Sequence, residues 1–153
     1  YVTNDTINRS SKELIHLLIG SAGLGSNLLL NIGPTPEGEV RQAHWERLLA
    51  VGDWLKVYGE TIYGTRKSFM KPADWGVIVE KDDKIYLHIT KPEKTVKELI
   101  IREFPYNISK AFRFETGSSV EYRLDKASQS LNIKITGLEQ SATDNVIVLQ
   151  ISK

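Results

Sequence analysis

The stretch Ser26–Val40, SNLLLNIGPTPEGEV, sets three consecutive leucines directly against a loop that holds two prolines and two glycines. Leu28, Leu29 and Leu30 are apolar on both faces of any strand they form, and such a continuous run is the mark of a parallel strand covered on both sides. Asn31 is polar where that strand should stop, and Gly33-Pro34-Thr35-Pro36 then breaks it. A strand buried on both faces needs neighbours, so the reading of this segment depends on where those neighbours are.

On its N-terminal side, Ser10-Ser11-Lys12-Glu13 has the spacing of a capping box, in which serine and glutamate satisfy each other's free amides. Leu14, Ile15, Leu17, Leu18 and Ile19 follow, interrupted only by His16, and Gly20, Gly23 and Gly25 loosen the end. The pattern predicts a helix over Ser11–Ala22 that is apolar over most of its girth and so buried on more than one side. On the C-terminal side, Trp45, Leu48, Leu49, Gly52 and Leu55 share one stripe, predicting a helix over Arg41–Tyr58 stopped at Gly59. The sequence therefore reads as helix, strand at Leu28–Asn31, helix. No second strand of this kind lies nearby, and parallel βαβ connections require one. The unit looks like the last one of a parallel barrel whose other strands lie upstream.

From about Trp75 the period changes to two. WGVIVE and KIYLHIT flank Lys81-Asp82-Asp83-Lys84 and read as a hairpin. TVKELIIRE, SKAFRFE, VEYRLDK, SLNIKIT and NVIVLQIS follow, separated by turn-forming clusters. About seven short strands at this spacing predict an antiparallel sandwich. The expected organisation is an α/β barrel end over residues 1–62, a linker over 63–74 and an all-β sandwich over 75–153.

The chain has 153 residues, 41% hydrophobic and 25% charged, with 20 basic and 19 acidic side chains for a net charge of +1. That balance gives no reason to expect nucleic acid or an anionic membrane as partner. No apolar run approaches the roughly 20 residues that cross a bilayer. The opening YVTNDTINRSSKE has no signal-peptide pattern, which carries little weight where upstream sequence is expected. With no cysteine, the chain offers neither disulfides nor a thiol nucleophile nor thiolate-bound zinc.

The segments SSKELIHLLIGSAGLGSNLLLNIGPTPEGEV and ERLLAVGDWLKVYGETIYGTR together resemble the end of the catalytic barrel of α-L-fucosidases, glycoside hydrolase family 29. In this resemblance Tyr1 is the tyrosine of a Trp-Gly-Tyr segment, Gly25-Ser26-Asn27 stands for Gly-Gly-Asn, and Tyr58-Gly59-Glu60 for Asn-Gly-Glu. WGVIVEKDDKIYLHIT is similar to the opening hairpin of that family's C-terminal sandwich. The resemblance covers Tyr1 to about Ile89, and beyond that only the strand pattern agrees. It implies a retaining exo-glycosidase that removes terminal α-L-fucose from glycans with two carboxylates, one attacking the anomeric carbon and one protonating the leaving oxygen. It also implies that both carboxylates precede this chain and that the setting is secreted, periplasmic or lysosomal; no cofactor or metal is expected from the residues. The expected partners are the upstream remainder of the barrel and the fucosylated glycan, and the chain alone is expected to be inactive.

The residues themselves offer few rivals. Glu37 and Glu39 flank Gly38 in one loop, and Asp82 and Asp83 form a turn; both pairs read as solvated loop charge. His16, His44 and His88 lack the clustering of metal ligands and read as core or surface histidines. No serine sits in a G-x-S-x-G elbow. Gly20, Gly23 and Gly25 precede the expected strand instead of following one, against a dinucleotide fingerprint. Trp45 and Trp54 read as packing residues, and Trp75 as a mostly buried plug between the two halves, with a sugar platform as its other reading. Asn31 is the candidate substrate-binding residue, because active sites of parallel barrels lie at the C-terminal ends of strands. Its amide could equally cap the Gly-Pro loop. Pro34 and Pro36 stiffen that loop in either case. Asn4-Asp-Thr, Asn8-Arg-Ser and Asn107-Ile-Ser spell glycosylation sequons. The other class of function is an autonomous sandwich that binds carbohydrate or protein. Under it residues 14–19 and 28–32 should bury against the sandwich; under the fucosidase reading they face something outside the chain.

Overall fold

The computed structural model describes residues 9–93 and 95–152. Helix α1 spans Ser11–Gly23, and its capping box forms as the spacing requires: Glu13 N–H donates to Ser10 Oγ at 3.2 Å and Ser10 N–H to Glu13 Oε2 at 2.7 Å. Helix α2 spans Gln42–Tyr58 and runs into a 3-10 turn at Gly59–Thr61. Between the helices, Leu28–Asn31 forms no strand. A strand is stabilised by lateral hydrogen bonds, and no described segment pairs with this one. Leu29 is 84% exposed, and Leu30 and Ile32 are also open to solvent, so the expected burial on both faces is absent here. Further on, Pro34 and Val40 form a single bridge, and Thr35 N–H donates to the Glu39 carbonyl at 2.8 Å, closing the proline loop on itself.

The β region has eight strands: β1 (Arg66–Lys67), β2 (Gly76–Lys81), β3 (Lys84–Ile89), β4 (Glu98–Ile101), β5 (Asn107–Arg113), β6 (Tyr122–Asp125), β7 (Ser130–Lys134) and β8 (Val146–Ser152). The seven expected from the alternating pattern are all present, with Arg66–Lys67 added from within the expected linker. They build two antiparallel sheets, ordered β1-β2-β3-β8-β5 and β4-β7-β6. The β2–β3 hairpin turns on Asp82 and Asp83 and pairs Ile78 with Leu87.

Alternation explains how the layers stack. Ile78, Ile85, Leu87, Ile89, Ile147 and Leu149 of the larger sheet meet Leu99, Ile101, Leu131 and Ile133 of the smaller one, forming the inter-sheet core. The opposite face of the larger sheet carries Val77, Val79, Tyr86, His88, Val146 and Val148, and all six are buried too. The helices cover that face: Ile15 and Ile19 of α1 and Trp54 of α2 pack with Val77. A Cβ on Gly23 would lie 2.7 Å from Val77 Cβ, so the missing side chain is what lets α1 settle on β2. No closed barrel is present among the described residues.

Trp75 does not plug the junction between helices and sheet. It is partly buried and packs on the inter-sheet core, while the junction is filled by Trp54, which stacks on Tyr58 at 5.0 Å between ring centroids; Tyr58 in turn stacks on Phe114. Burial first, and the Glu115 carboxylate next, hold the Tyr58 hydroxyl well above its ordinary pKa of 10.0.

Candidate functional site

Two polar centres lie beside the helices, one buried and one open. The buried centre is at the seam. His88 on β3 places Nδ1 2.6 Å from Asp144 Oδ2 and Nε2 3.3 Å from the Thr61 carbonyl, and both side chains of the pair have no exposure. The same segment holds α1: Lys12 Nζ donates to the Ala142 carbonyl at 2.9 Å, and His16 Nε2 lies 2.6 Å from the Thr143 carbonyl. His88 is thus a core histidine that ties the sheet to the end of α2 through Thr61, as the sequence reading allowed. Sealed from solvent, this centre has no access for a substrate.

The open centre surrounds Asn31. A cleft of about 230 Å³ runs between the start of α1, the segment through Leu30–Ile32 and the first half of α2, lined among others by Arg9, Leu14, Asn31, His44, Arg47 and Leu48. Arg47 Nε donates to the Arg9 carbonyl at 2.7 Å, and Arg47 Nη1 to the Ala43 carbonyl, which holds its guanidinium across the cleft floor. Asn31 is exposed at the rim. Arg9 and Arg47 escaped the sequence reading because each looks like an ordinary solvated charge. The only signal is that Arg47 lies three residues from His44, one turn along the same face of α2.

Guanidinium and amide groups can orient hydroxyls or an anion, but glycosidic chemistry needs a carboxylic acid and a carboxylate. Among the described residues, neither lines the cleft. Glu37 and Glu39 are exposed in the proline loop, and Asp82 and Asp83 are exposed on the hairpin tip, far along the chain from it. The better-placed carboxylates are occupied structurally: Glu80 accepts from the Ser68 and Tyr106 hydroxyls at 2.7 and 2.8 Å, and Glu60 from Lys84 Nζ and the Tyr86 hydroxyl, each at 2.7 Å. Among the described residues no group of three or more His, Cys, Asp or Glu could hold a metal ion, and no helix is long and apolar enough to cross a membrane.

Comparison with known proteins adds what the site does not contain. Residues 1–60 match the family model of α-L-fucosidase. The tissue α-L-fucosidase of Mus musculus is 42% identical over 90 residues, which is 59% of this chain and 18% of the mouse protein. Among solved structures, α-L-fucosidase isoenzyme 1 from Paenibacillus thiaminolyticus superposes over 100% of this chain and 37% of its own, with a TM-score of 0.84 and 23% identity. A family 29 α-L-fucosidase from Bacteroides thetaiotaomicron, solved as a trapped covalent intermediate, covers 96% of this chain and 33% of its own, with a TM-score of 0.82 and 21% identity. This chain therefore spans less than a fifth of its mouse relative and about a third of its solved relatives. Sequence over the first sixty residues, relatives at about 42% identity and the fold over the whole length together support a C-terminal fragment of an α-L-fucosidase of glycoside hydrolase family 29.

Proposed function

We propose that the chain serves a retaining α-L-fucosidase, supplying the last helix-strand-helix of its catalytic barrel and the sandwich behind it, while both catalytic carboxylates lie in preceding sequence. The observation that carries this reading is the Leu28–Ile32 segment. It is an apolar run within the region that matches the family model, yet it pairs with no strand among the described residues, and Leu29, Leu30 and Ile32 are exposed. Burying an exposed leucine or isoleucine gains about 1.5–3 kcal/mol each, so this segment is written for a neighbour that the described residues do not provide. In that setting it becomes the parallel strand its sequence spells, and Asn31 stands at the strand's C-terminal end, where a parallel barrel opens its active site. Asn31 would orient a sugar hydroxyl, and the proline loop would shape the rim. The covalent intermediate trapped in the Bacteroides relative is the kind of species that retaining chemistry forms.

One observation favours the other class. Ile15 and Ile19 bury against Val77 of the sheet, as an autonomous module with a helical accessory requires. That contact departs from the expectation that residues 14–19 face something outside the chain. The fucosidase reading accommodates it only if the barrel's outer helix also packs on the sandwich behind it. The bare Leu28–Ile32 segment suits only the first. The test is hydrolysis of an aryl α-L-fucoside by the purified 153-residue chain and by a longer chain that includes the preceding barrel. Activity in the longer chain alone is the expected result. Enzyme-like turnover by the 153 residues alone would overturn it, and glycan binding by them without turnover in either form would favour the autonomous module.

A further inference from the structure

We infer that Asn107 is an N-glycan acceptor and that its glycan caps the start of β5 at the larger sheet's far edge. Asn107-Ile108-Ser109 has the acceptor spelling, with no proline between. The structure puts all the needed groups at the surface: Asn107 and Ser109 are both exposed, and the Asn107 carboxamide makes no hydrogen bond among the described residues. A register shift between Ile108 and Lys110 makes Ser109 the extra residue of a bulge, where its hydroxyl reaches the Gln150 carbonyl at 3.1 Å.

The place in the sheet gives the site its consequence. β5 is an edge strand, and an open edge is a template for unwanted pairing. Its second half is already taken: Val120 N–H donates to the Ala111 carbonyl and Arg113 N–H to the Ser118 carbonyl, both at 2.9 Å. The Tyr122 hydroxyl covers the Ile108 carbonyl at 3.0 Å. What stays open is the start of the strand, and Asn107 is its first residue. Leu28 shares a cleft with Arg66 and Lys67 of β1, at the other end of the strand order from β5, so a glycan on β5 leaves that side of the sheet clear. Asn4 and Asn8 lie outside the described residues. Chemically, the Asn107 amide nitrogen attacks the anomeric carbon of a lipid-pyrophosphate-linked oligosaccharide. The new C–N bond replaces the C–O bond to pyrophosphate, the lipid pyrophosphate leaves, and the amide gives up one proton.

The test is expression of the full chain behind a secretory leader in a eukaryotic cell, with the whole translocated pool collected, secreted or retained. Intact mass is read before and after enzymatic glycan removal in heavy-oxygen water, followed by peptide mapping for the isotopic label at Asn107. The expected result is label at Asn107, loss of one glycan-sized mass step in both Asn107→Gln and Ser109→Ala, and retention of that step in Ser109→Thr. Because addition accompanies translocation, these readouts hold even where a variant folds poorly. An unlabelled Asn107 peptide in a pool whose Asn4 or Asn8 is labelled would overturn the inference, as would a mass step that survives Asn107→Gln unchanged.

Discussion

Replacing Asp144 by alanine removes the acceptor of a buried histidine at the point where helices, sheet and the 142–144 segment meet. His88 Nδ1 lies 2.6 Å from Asp144 Oδ2 with no solvent access to either side chain. Truncating one partner of such a pair costs about 3–5 kcal/mol, because the survivor is left buried without its hydrogen bond. The lower end applies here, since Asp144 Oδ1 already lacks a partner in the structure and the pair is not fully satisfied. For a chain of this length each kcal/mol shifts the melting midpoint by roughly 2–4 °C, so about 3 kcal/mol is a drop of roughly 6–12 °C. Thermal and urea unfolding followed by tryptophan fluorescence read this directly, because Trp54 sits in the adjoining cluster. Hydrogen exchange adds location: Lys12 and His16 anchor α1 to Ala142 and Thr143, so amides of Ser11–Gly23 should lose protection beyond the global change. The double variant His88→Leu with Asp144→Leu should recover much of the loss, as apolar replacements of buried pairs often do. A midpoint for Asp144→Ala within about 0.5 kcal/mol of the parent, the range of an ordinary surface change, would refute the clasp.

Three further outcomes are expected. Gly76→Ala should destabilise by about 2–5 kcal/mol in denaturant titration, because φ is +154° there and the new Cβ would lie 1.8 Å from the His88 carbonyl oxygen, opening the start of the β2–β3 ladder. Hydrogen bonds from Lys84 and then Tyr86 hold the Glu60 carboxyl below its ordinary pKa of 4.5. The stability this contributes is fully present above the ordinary value and lost as pH falls through the lowered folded one; Glu60→Gln should therefore lower the neutral plateau slightly and flatten the acid limb of a stability–pH profile. Leu29→Asp should leave the melting midpoint of this chain unchanged, within about 0.5 kcal/mol, since the side chain is 84% exposed. In a chain that includes the preceding barrel the same change should lower stability and activity together; equal tolerance in both would mean the segment has no partner there.

The residues of α1 and α2 determined those helices by themselves. The Ser10–Glu13 capping box and the 3.6-residue stripe are local signals, complete within a few turns, and both helices end within a residue or so of where the spacing put them. The β region was legible for the same reason: alternation and turn residues are short-range, and the Asp82-Asp83 hairpin needs only its own flanks. The family likeness of the first sixty residues was equally a property of the sequence. Pairing across the sheets was not. That β8 joins β3 to β5, and that β4, β7 and β6 form a separate sheet, depends on contacts between distant segments. Val146-Ile-Val-Leu149 did carry a hint, since four consecutive buried apolar residues mean a strand covered on both faces, but nothing local says that α1 and α2 are the cover. Leu28-Leu-Leu30 carries the same signal and has the opposite outcome, without strand pairing and with Leu29 and Leu30 exposed. Apolar sequence states a demand for burial, and only the presence of a neighbouring strand decides whether that demand is met. His88 shows the converse: an isolated histidine in an alternating strand became the centre of the seam because Asp144 and Thr61, remote in sequence, arrive on either side of its ring. The cleft at Asn31 was half legible, its amide marked by a polar residue ending an apolar run, while Arg9 and Arg47 joined it only once α1 and α2 lay side by side.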